Sequence, residues 1–329
     1  MKTVELRLAA SFAYNGGNLS MKAPIAYLRG QFLPLAEAKL PVHDLGLQGM
    51  AVTETVRTFG HRPFRIDDHL DRLAASLDMA AIDLPMPFDE LRSISLQVID
   101  HNAPLIAPGD DLGLTLFVTA GLNLTYLGAG ALDECRRPTV GVHTWRLPVE
   151  LWVERRRTGQ HLVTPDVRQI PAECLDPRIK SRSRLHWHVA DAQARAVDPQ
   201  ASALLLSAEG FVTETATANF FIVRDGAMLT PRMGAALAGV SQAVVRELAC
   251  ELRIEYLEAD LRPADVESAD EAFTSSTPYC LLPAVRFNNR PIGNGAPGTV
   301  YAKLLAAWSN LVGVDLNLEC GDPSPLSFS

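Results

Sequence analysis

The sequence predicts an α+β chain of two domains with two mixed β-sheets, and two observations lead to this prediction. The chain has 329 residues, of which 47% are hydrophobic, and at about 150 residues per domain this length corresponds to roughly two domains with buried cores. Its strand-like segments follow one another mainly through tight turns and not through helical crossovers, which argues against a doubly wound dinucleotide-binding sheet.

The first half of the chain is expected to form a small α/β domain over residues 23–147. Asp67 or Asp68 can cap a helix whose apolar residues recur at helical spacing and which stops before Pro85. A second helix is expected over Phe88–Asn102. Strands and hairpin arms are expected at Gln31–Leu35, Val52–Phe59, Pro63–Ile66, Leu112–Thr119 and Thr139–Leu147.

The charged segment 148–159 is the expected connection between the domains, and a larger mixed-sheet domain is expected over residues 160–320. Residues 1–22 are interpreted as an N-terminal extension and residues 321–329 as a tail. Helices are expected over Arg182–Val197 and from Leu237 onward. Short strands are expected at Leu162–Arg168, Ala203–Ser207, Phe211–Glu214, Phe220–Val223, Ala227–Leu229 and Glu271–Thr274.

Composition excludes several classes of partner. The net charge of −8 and the pI near 5.5 disfavour nucleic acid and anionic membranes. The longest uncharged run, Leu112–Leu132, contains too many Gly, Thr and Asn residues for a membrane span. Five scattered cysteines indicate reduced thiols and a cytoplasmic location.

Lys180 is the first candidate for chemistry. It lies just ahead of the helix expected at Arg182, and the positive end of a helix dipole favours loss of the lysine proton. An unprotonated amine is what Schiff-base formation requires. The alternative is an ordinary solvated lysine.

Glu214 and the start of the helix expected from Leu237 are the other candidates. Glu214 shares a strand face with Val212, so its carboxylate is expected to be partly buried and to need a cationic partner, although an exposed strand-end glutamate is the commoner outcome. Gly239, Val240 and Ser241 present backbone N–H groups and a hydroxyl, which is an anion-binding arrangement or simply a helix cap. An amine to form an imine, a carboxylate for a ring nitrogen, and hydroxyl-rich turns with an arginine for a phosphate together indicate a pyridoxal 5'-phosphate (PLP) site.

The sequence resembles the class IV aminotransferases of fold type IV, which include branched-chain and D-amino-acid transaminases, aminodeoxychorismate lyases and R-selective amine transaminases. Six blocks carry the resemblance in family order over roughly residues 24–310. They are Val42-His-Asp-Leu-Gly, Phe64-Arg-Ile-Asp-Asp-His-Leu-Asp-Arg-Leu, Arg178-Ile-Lys-Ser, Gly210-Phe-Val-Thr-Glu-Thr, Leu237-Ala-Gly-Val-Ser and Arg290-Pro-Ile-Gly-Asn-Gly.

The resemblance implies a PLP enzyme of fold type IV that works as a homodimer, and it implies a role for each matching residue. Lys180 is implied as the catalytic lysine that forms the Schiff base and moves the proton, and Glu214 as the partner of the pyridine nitrogen. Arg72 is implied as the phosphate-binding arginine. The implied phosphate-binding turns contain Gly239, Val240, Ser241, Ser276 and Thr277.

The implied substrate pocket is less uniform. Glu54 matches an acid typical of transaminases, whereas Arg184 matches a residue common in the lyases. Polar residues replace family aromatics at Gln48 and Thr53, which leaves a branched-chain preference open. The position directly after Thr119 lacks the arginine of many D-amino-acid enzymes, so a substrate carboxylate would depend on backbone N–H groups and on hydroxyls such as those of Ser276 and Thr277, or on an arginine from elsewhere.

The leading hypothesis is a PLP transaminase that moves an amino group from a branched-chain or D-amino acid, or an amine, to a 2-oxo acid. The alternatives are an aminodeoxychorismate lyase-like enzyme and a non-catalytic relative that acts as an interaction module. No metal is expected, because His186 and His188 diverge on a helix.

Overall fold

The computed structural model describes residues 23–128, 130, 132–135 and 137–319. Its helices are α1 (Ile66–Met79), α2 (Phe88–Asn102), α3 (Leu124–Leu127), α4 (Leu132–Cys135), α5 (Val149–Thr158), α6 (Leu185–Val197), α7 (Val240–Glu251), α8 (Pro263–Glu267) and α9 (Thr299–Val312). Its strands are β1 (Ile25–Leu28), β2 (Gln31–Pro34), β3 (Ala51–Phe59), β4 (Arg62–Pro63), β5 (Leu112–Thr119), β6 (Thr139–Arg146), β7 (Gln160–Val163), β8 (Ser202–Leu206), β9 (Val212–Thr215), β10 (Asn219–Arg224), β11 (Ala227–Pro231), β12 (Tyr256–Ala259), β13 (Glu271–Ser276), β14 (Cys280–Phe287) and β15 (Arg290–Pro291).

The first sheet is antiparallel and contains six strands in the order β2-β1-β6-β5-β3-β4. Helices α1 and α2 cover one of its faces, because their apolar stripes pack on the alternate apolar residues of the strands. Val56, Leu73, Leu91 and Val98 are each fully buried in this core. The opposite face of β3 presents Thr53 and Thr55 to a cavity.

The second sheet contains nine strands and curls on itself, because β9 pairs with both β8 and β10. Most neighbours are antiparallel, but β7 runs parallel to β8 and β14, and β11 runs parallel to β12. Helices α7 and α9 pack on its outer side around Phe273 and Trp308. Because of this curl, the β9–β10 hairpin lies at the edge of the second sheet that faces the first sheet across the cavity.

Several predicted boundaries differ from the structure. Helix α1 starts at Ile66, after Arg65 in the left-handed region, so Asp67 and Asp68 lie in the first turn and do not cap it. Strand β7 ends at Val163 and not at Arg168. Between Val163 and Arg168, backbone N–H groups donate to the side chains of Asn288 and Gln193 and not to a neighbouring strand.

Helix α6 starts at Leu185, three residues later than predicted, because the preceding backbone is held beside β3: Arg182 N–H donates to Ala51 O at 2.9 Å. The charged segment between the sheets forms helix α5. The helix over Phe88–Asn102 and the strand over Leu112–Thr119 have the predicted bounds.

A buried ion network joins the two halves of the molecule. The Glu319 carboxylate accepts from Arg57 on β3 at 2.6 Å and from Arg156 on α5 at 3.0 Å. The same guanidinium groups donate to the carbonyl oxygens of Pro278 and Tyr279, each at 2.9 Å. Within the described ranges, no helix is both long enough and apolar enough to cross a membrane.

Candidate functional site

Lys180 lies where a short extended segment joins the edge of β3. Its carbonyl accepts from Thr53 N–H at 3.0 Å, and its own N–H donates to Ser76 Oγ at 3.2 Å. The side chain lines a cavity of about 250 Å³ between the two sheets. Position 180 is therefore held by the first sheet, although it follows β7 in the chain.

Burial and the nearby Arg72 guanidinium lower the pKa of Lys180 to about 8. The helix-dipole explanation drawn from the sequence does not apply, because α6 begins only at Leu185. The physical cause is instead the loss of water around the ammonium group and repulsion by another cation.

Glu214 lies on β9 and lines the same cavity. Its side chain accepts from Leu237 N–H at 3.3 Å and from Gln169 Nε2 at 3.4 Å. The residue is only 9% exposed, and burial raises the pKa of its carboxyl to about 7. The exposed strand-end alternative is thus excluded by the geometry.

Arg72 reaches the cavity from α1, and its guanidinium is held on two sides. Glu54 on β3 accepts from Nε at 2.7 Å and from Nη2 at 2.8 Å, while Nη1 donates to Ala238 O at 3.0 Å. His69 Nδ1 lies 2.8 Å from the same Glu54 carboxylate. Leu70 and Leu73, which anchor this helix, are buried.

Glu54 faces the helices and does not line the cavity, since its neighbours Thr53 and Thr55 occupy the cavity face of β3. It is 0% exposed. Burial alone would raise the pKa of Glu54, but Arg72 and His69 outweigh it and lower the pKa to about 2. The structure therefore places Glu54 behind the wall as the partner of Arg72, and not in the substrate pocket where it was expected.

The turn before α7 forms another part of the wall. Gly239 is the N-cap residue, and the N–H groups of Val240 and Ser241 have no partner within the helix by the geometry of helix ends. A Cβ at Gly239 would lie 2.0 Å from Asn219 Oδ1. A side chain at position 239 would therefore require the Asn219 amide to move away from the turn.

Asn219 is a site residue that the sequence analysis missed. Its Nδ2 donates to Leu237 O at 2.8 Å, and it lies directly opposite Glu214 in the register of β9 and β10. A signal was present, because Asn219 is a polar residue at the start of an apolar strand five positions after Glu214.

The end of β13 supplies hydroxyl groups to the cavity. Ser276 Oγ donates to Thr217 O at 2.6 Å, and Thr277 lines the cavity beside it. Ser275 also lines the cavity, and within the described chain its buried Oγ has no hydrogen-bond partner. A buried hydroxyl without a partner is expected to find one in a ligand or water.

These residues fit the PLP that the sequence predicts. An amine with a lowered pKa and a buried carboxylate line the same cavity as an arginine, a free helix N-terminus and an orphaned hydroxyl. This donor set suits an aldehyde, a ring nitrogen and a phosphate. The roles of individual residues remain predictions.

The other predicted pocket residues divide into two groups. Thr53 and Arg184 line the cavity, and Arg184 Nη2 donates to Ala216 O. Gln48 is exposed in a short turn, and Thr119 is buried with its Oγ1 accepting from Gly121 N–H at 3.2 Å. Neither of these two is on the cavity wall of this chain. Among the residues that the structure describes, no His, Cys, Asp and Glu cluster suits a metal ion.

Comparison with known proteins gives consistent matches in sequence. The model of the amino-transferase class IV family matches residues 51–287. A putative branched-chain-amino-acid aminotransferase of Methanocaldococcus jannaschii is 32% identical over 282 residues, which cover 84% of this chain and 93% of the relative. A D-alanine aminotransferase of Bacillus licheniformis is 27% identical, with coverage of 86% and 95%.

Solved structures show the same likeness. A T.th. branched-chain amino acid aminotransferase with pyridoxamine 5'-phosphate has a TM-score of 0.79 and 26% identity, and the match covers 89% of this chain and 95% of that one. The same protein in complex with N-(5'-phosphopyridoxyl)-L-glutamate has a TM-score of 0.78 at 26% identity and the same coverage.

Proposed function

The chain belongs to the class IV aminotransferases, and from this membership we propose that it moves an amino group from an amino acid to a 2-oxo acid with Lys180 as its catalytic amine. It is an aminotransferase with PLP as cofactor, and its fold is the α+β fold type IV that the sequence predicts. The observation that carries the assignment of residues is one cavity lined by Lys180, Glu214 and Arg72.

When bound, PLP supplies an aldehyde that links to an amine and a conjugated ring that accepts electrons from the substrate Cα–H bond. Arg72, the N–H groups of Val240 and Ser241, and the hydroxyl of Ser275 or Thr277 would hold its phosphate. Glu214 would pair with its ring nitrogen. Glu54 and Ala238 would keep the Arg72 guanidinium in one orientation.

Lys180 would serve as the proton carrier of the reaction. Because its pKa is lowered to about 8, roughly a tenth of its amine is unprotonated at pH 7, and a group with this pKa can both accept and return a proton. Its backbone contacts to Thr53 and Ser76 fix the start of the side chain. These contacts fix where the side chain leaves the wall of the cavity.

The donor is proposed to be a branched-chain or D-amino acid, with an amine as a further possibility. This rests on the names of the relatives, which are branched-chain and D-alanine aminotransferases. The same names favour transfer over the lyase reaction. A non-catalytic role is disfavoured because the amine, acid and arginine of the predicted site line one cavity.

A homodimer in the cytoplasm is proposed as well. The resemblance supports the dimer, since family members build the site at a subunit interface. The scattered, odd number of cysteines supports a reducing compartment. Sedimentation velocity of the purified protein tests the dimer directly.

The experiment that tests the function uses a panel of L- and D-amino acids and R-amines, each mixed with the PLP-loaded protein without an acceptor. A transaminase should lose the absorbance of the lysine-bound cofactor as the pyridoxamine form accumulates. Adding a 2-oxo acid should restore it. Unchanged absorbance with every donor would contradict the proposal and favour the lyase.

A further inference from the structure

Arg182 is a cation on the cavity wall that the mechanism above does not use. In the described part of the chain its guanidinium has neither a hydrogen bond nor an ion pair; only its backbone N–H is bonded, to Ala51 O. The residue is exposed at the cavity. Burial nevertheless lowers the pKa of the guanidinium, because the protein around it removes water without supplying an opposite charge.

The strand geometry directs Arg182 to the same side as Lys180. Ser181 pairs antiparallel with Val52, so residues 180 and 182 lie two positions apart on an extended segment and share one face. Burial and the charge of Arg182 lower the pKa of His143 on β6. Arg182 therefore lies on the face of the first sheet on which Thr53 also lines the cavity.

The charges on the cavity wall do not balance. The ionisable side chains on it are Arg72, Asp176, Lys180, Arg182, Arg184, His186 and Glu214. Two of these are already paired outside the set, Arg72 with Glu54 and Asp176 with Arg178. The remaining Lys and Arg side chains face a single carboxylate, that of Glu214. This local excess of positive charge occurs in a chain whose net charge is −8, and it favours an anionic ligand.

Arg182 and Arg184 differ in how many of their guanidinium N–H groups remain available to bind a ligand. Arg184 Nη2 already donates to Ala216 O, and the charges of Glu214 and Arg184 influence each other. Arg182 keeps its full planar fork of donors, which matches the two oxygens of a carboxylate. The position directly after Thr119, which is an arginine in many D-amino-acid enzymes, is Ala120 in this chain.

Resting on the proposed aminotransferase function, we propose that Arg182 binds the carboxylate of the incoming amino acid or 2-oxo acid. The contact lies on the first-sheet side of the cavity, on the face that also carries the Lys180 amine. It makes the site selective for substrates that carry a carboxylate over amines of the same carbon skeleton.

The test compares substrates that differ only in the carboxylate. The PLP-loaded wild type, Arg182→Gln and Arg182→Lys are assayed with L- and D-2-aminobutyrate and with both enantiomers of sec-butylamine, in which a methyl group replaces the carboxylate. Arg182→Gln should lower kcat/KM for the accepted amino acid by about 10- to 100-fold, mainly through KM, and leave sec-butylamine within about twofold. Arg182→Lys should lower this kcat/KM less than Arg182→Gln does, because lysine keeps the positive charge but lacks the planar set of N–H donors.

A binding measurement gives a second readout that does not depend on turnover. The dissociation constant of butanoate, measured by calorimetry, should rise in Arg182→Gln by a similar factor. Arg157→Gln is the matched control, since it removes an exposed arginine that pairs with Glu154 and does not line the cavity.

Each outcome separates the two proposals. Unchanged kcat/KM and butanoate affinity in Arg182→Gln would overturn the role of Arg182, and so would an equal loss for amino acid and amine, which indicates a structural effect. A wild type that converts no donor would contradict the aminotransferase assignment instead, and the butanoate titration would still decide whether Arg182 binds a carboxylate.

Discussion

Lys180 and Glu214 meet the same physical problem, because each would carry its charge in a cavity that excludes most water. The pKa of Lys180 falls to about 8 and that of Glu214 rises to about 7. Groups of opposite type whose pKa values converge on neutrality are typical of functional sites. Both shifts cost the cofactor-free protein stability, as expected where a site is shaped for a ligand.

Replacing the amine tests the assignment of the lysine. Lys180→Ala should abolish turnover and the borohydride-reducible link between protein and cofactor, because no other amine is proposed to form it. Mass spectrometry after borohydride reduction measures the link. Lys303→Ala, an exposed lysine on α9, is the control and should keep it. A link that persists in Lys180→Ala would show that a different lysine reacts.

Glu214→Gln should have opposite effects on activity and stability. Turnover should fall, since a neutral amide cannot hold a protonated ring nitrogen. The pKa of Glu214 is raised from 4.5 to about 7, so the carboxylate destabilises the cofactor-free fold as pH rises from 4.5 through 7. The variant should therefore be more stable by about 3 kcal/mol above pH 8.

Urea denaturation of cofactor-free wild type and Glu214→Gln across pH 4 to 9 measures this difference, which should vanish toward pH 4. A difference that is the same at every pH would contradict the titration of Glu214.

Glu54 is expected to act through Arg72 as a positioning residue. Glu54→Gln removes the charge that holds both Nε and Nη2, so the PLP dissociation constant should rise about 10- to 100-fold. Fluorescence titration of the cofactor-free protein measures it. Asp67→Asn, which breaks an exposed pair with Arg92 on the neighbouring helix, should change it little. Equal affinities in the wild type and Glu54→Gln would show that Arg72 holds its position unaided.

At the scale of elements, the turn before α7 depends on three different parts of the fold. Glu214 on β9 accepts from Leu237 N–H, Asn219 on β10 donates to Leu237 O, and Arg72 on α1 donates to Ala238 O. The two strands of the β9–β10 hairpin thus hold one residue of the turn by both its backbone groups. This arrangement fixes the free N–H groups of α7 against the cavity.

The close approach of this turn to β10 gives a test by double-mutant cycle. Gly239→Ala should weaken PLP binding by about tenfold or more, because the added Cβ would meet Asn219 Oδ1 at 2.0 Å. Asn219→Ala removes that atom. In the Asn219→Ala background, Gly239→Ala should therefore weaken PLP binding much less than it does in the wild type. PLP dissociation constants of the four proteins measure the coupling. Additive effects would show that the clash is relieved elsewhere.

At the scale of the whole molecule, Glu319 connects elements that are far apart in the chain. Its carboxylate lies between Arg57 on β3 and Arg156 on α5, and both arginines also bind the carbonyls of the turn after Thr277. A residue near the C-terminus therefore stabilises a wall of the cavity. The exposed fraction of its side chain is only 6%.

Glu319→Gln should lower the free energy of unfolding by about 3 to 5 kcal/mol, because it leaves two buried guanidinium groups without a counter-charge. Urea denaturation at pH 7 measures the change. Glu154→Gln breaks an exposed pair with Arg157 and should cost less than about 1 kcal/mol. Equal stability of the two variants would contradict a structural role for the network.

Local patterns predicted the elements that their own side chains stabilise. The apolar spacing of Phe88–Asn102 and the buried run Leu112–Thr119 identify α2 and β5 with the observed ends, because these residues pack along one continuous core. The starts of α1 and α6 and the end of β7 were misplaced. In the last two, distant groups bind the backbone: Ala51 holds Arg182, and Asn288 holds Thr164.

By itself the sequence determined the family, the cofactor and the choice of Lys180, Glu214 and Arg72, because these follow from residue types in an ordered set of motifs. Only the tertiary structure decided what surrounds them: that Glu54 supports Arg72 from behind the wall, that Asn219 holds the turn before α7, and that Arg182 has no counter-ion among the described residues. Such contacts join residues up to 262 positions apart, as in Arg57 and Glu319. Whether such residues are buried and paired depends on how the two sheets pack together, and the spacing of residues along the chain does not contain this information.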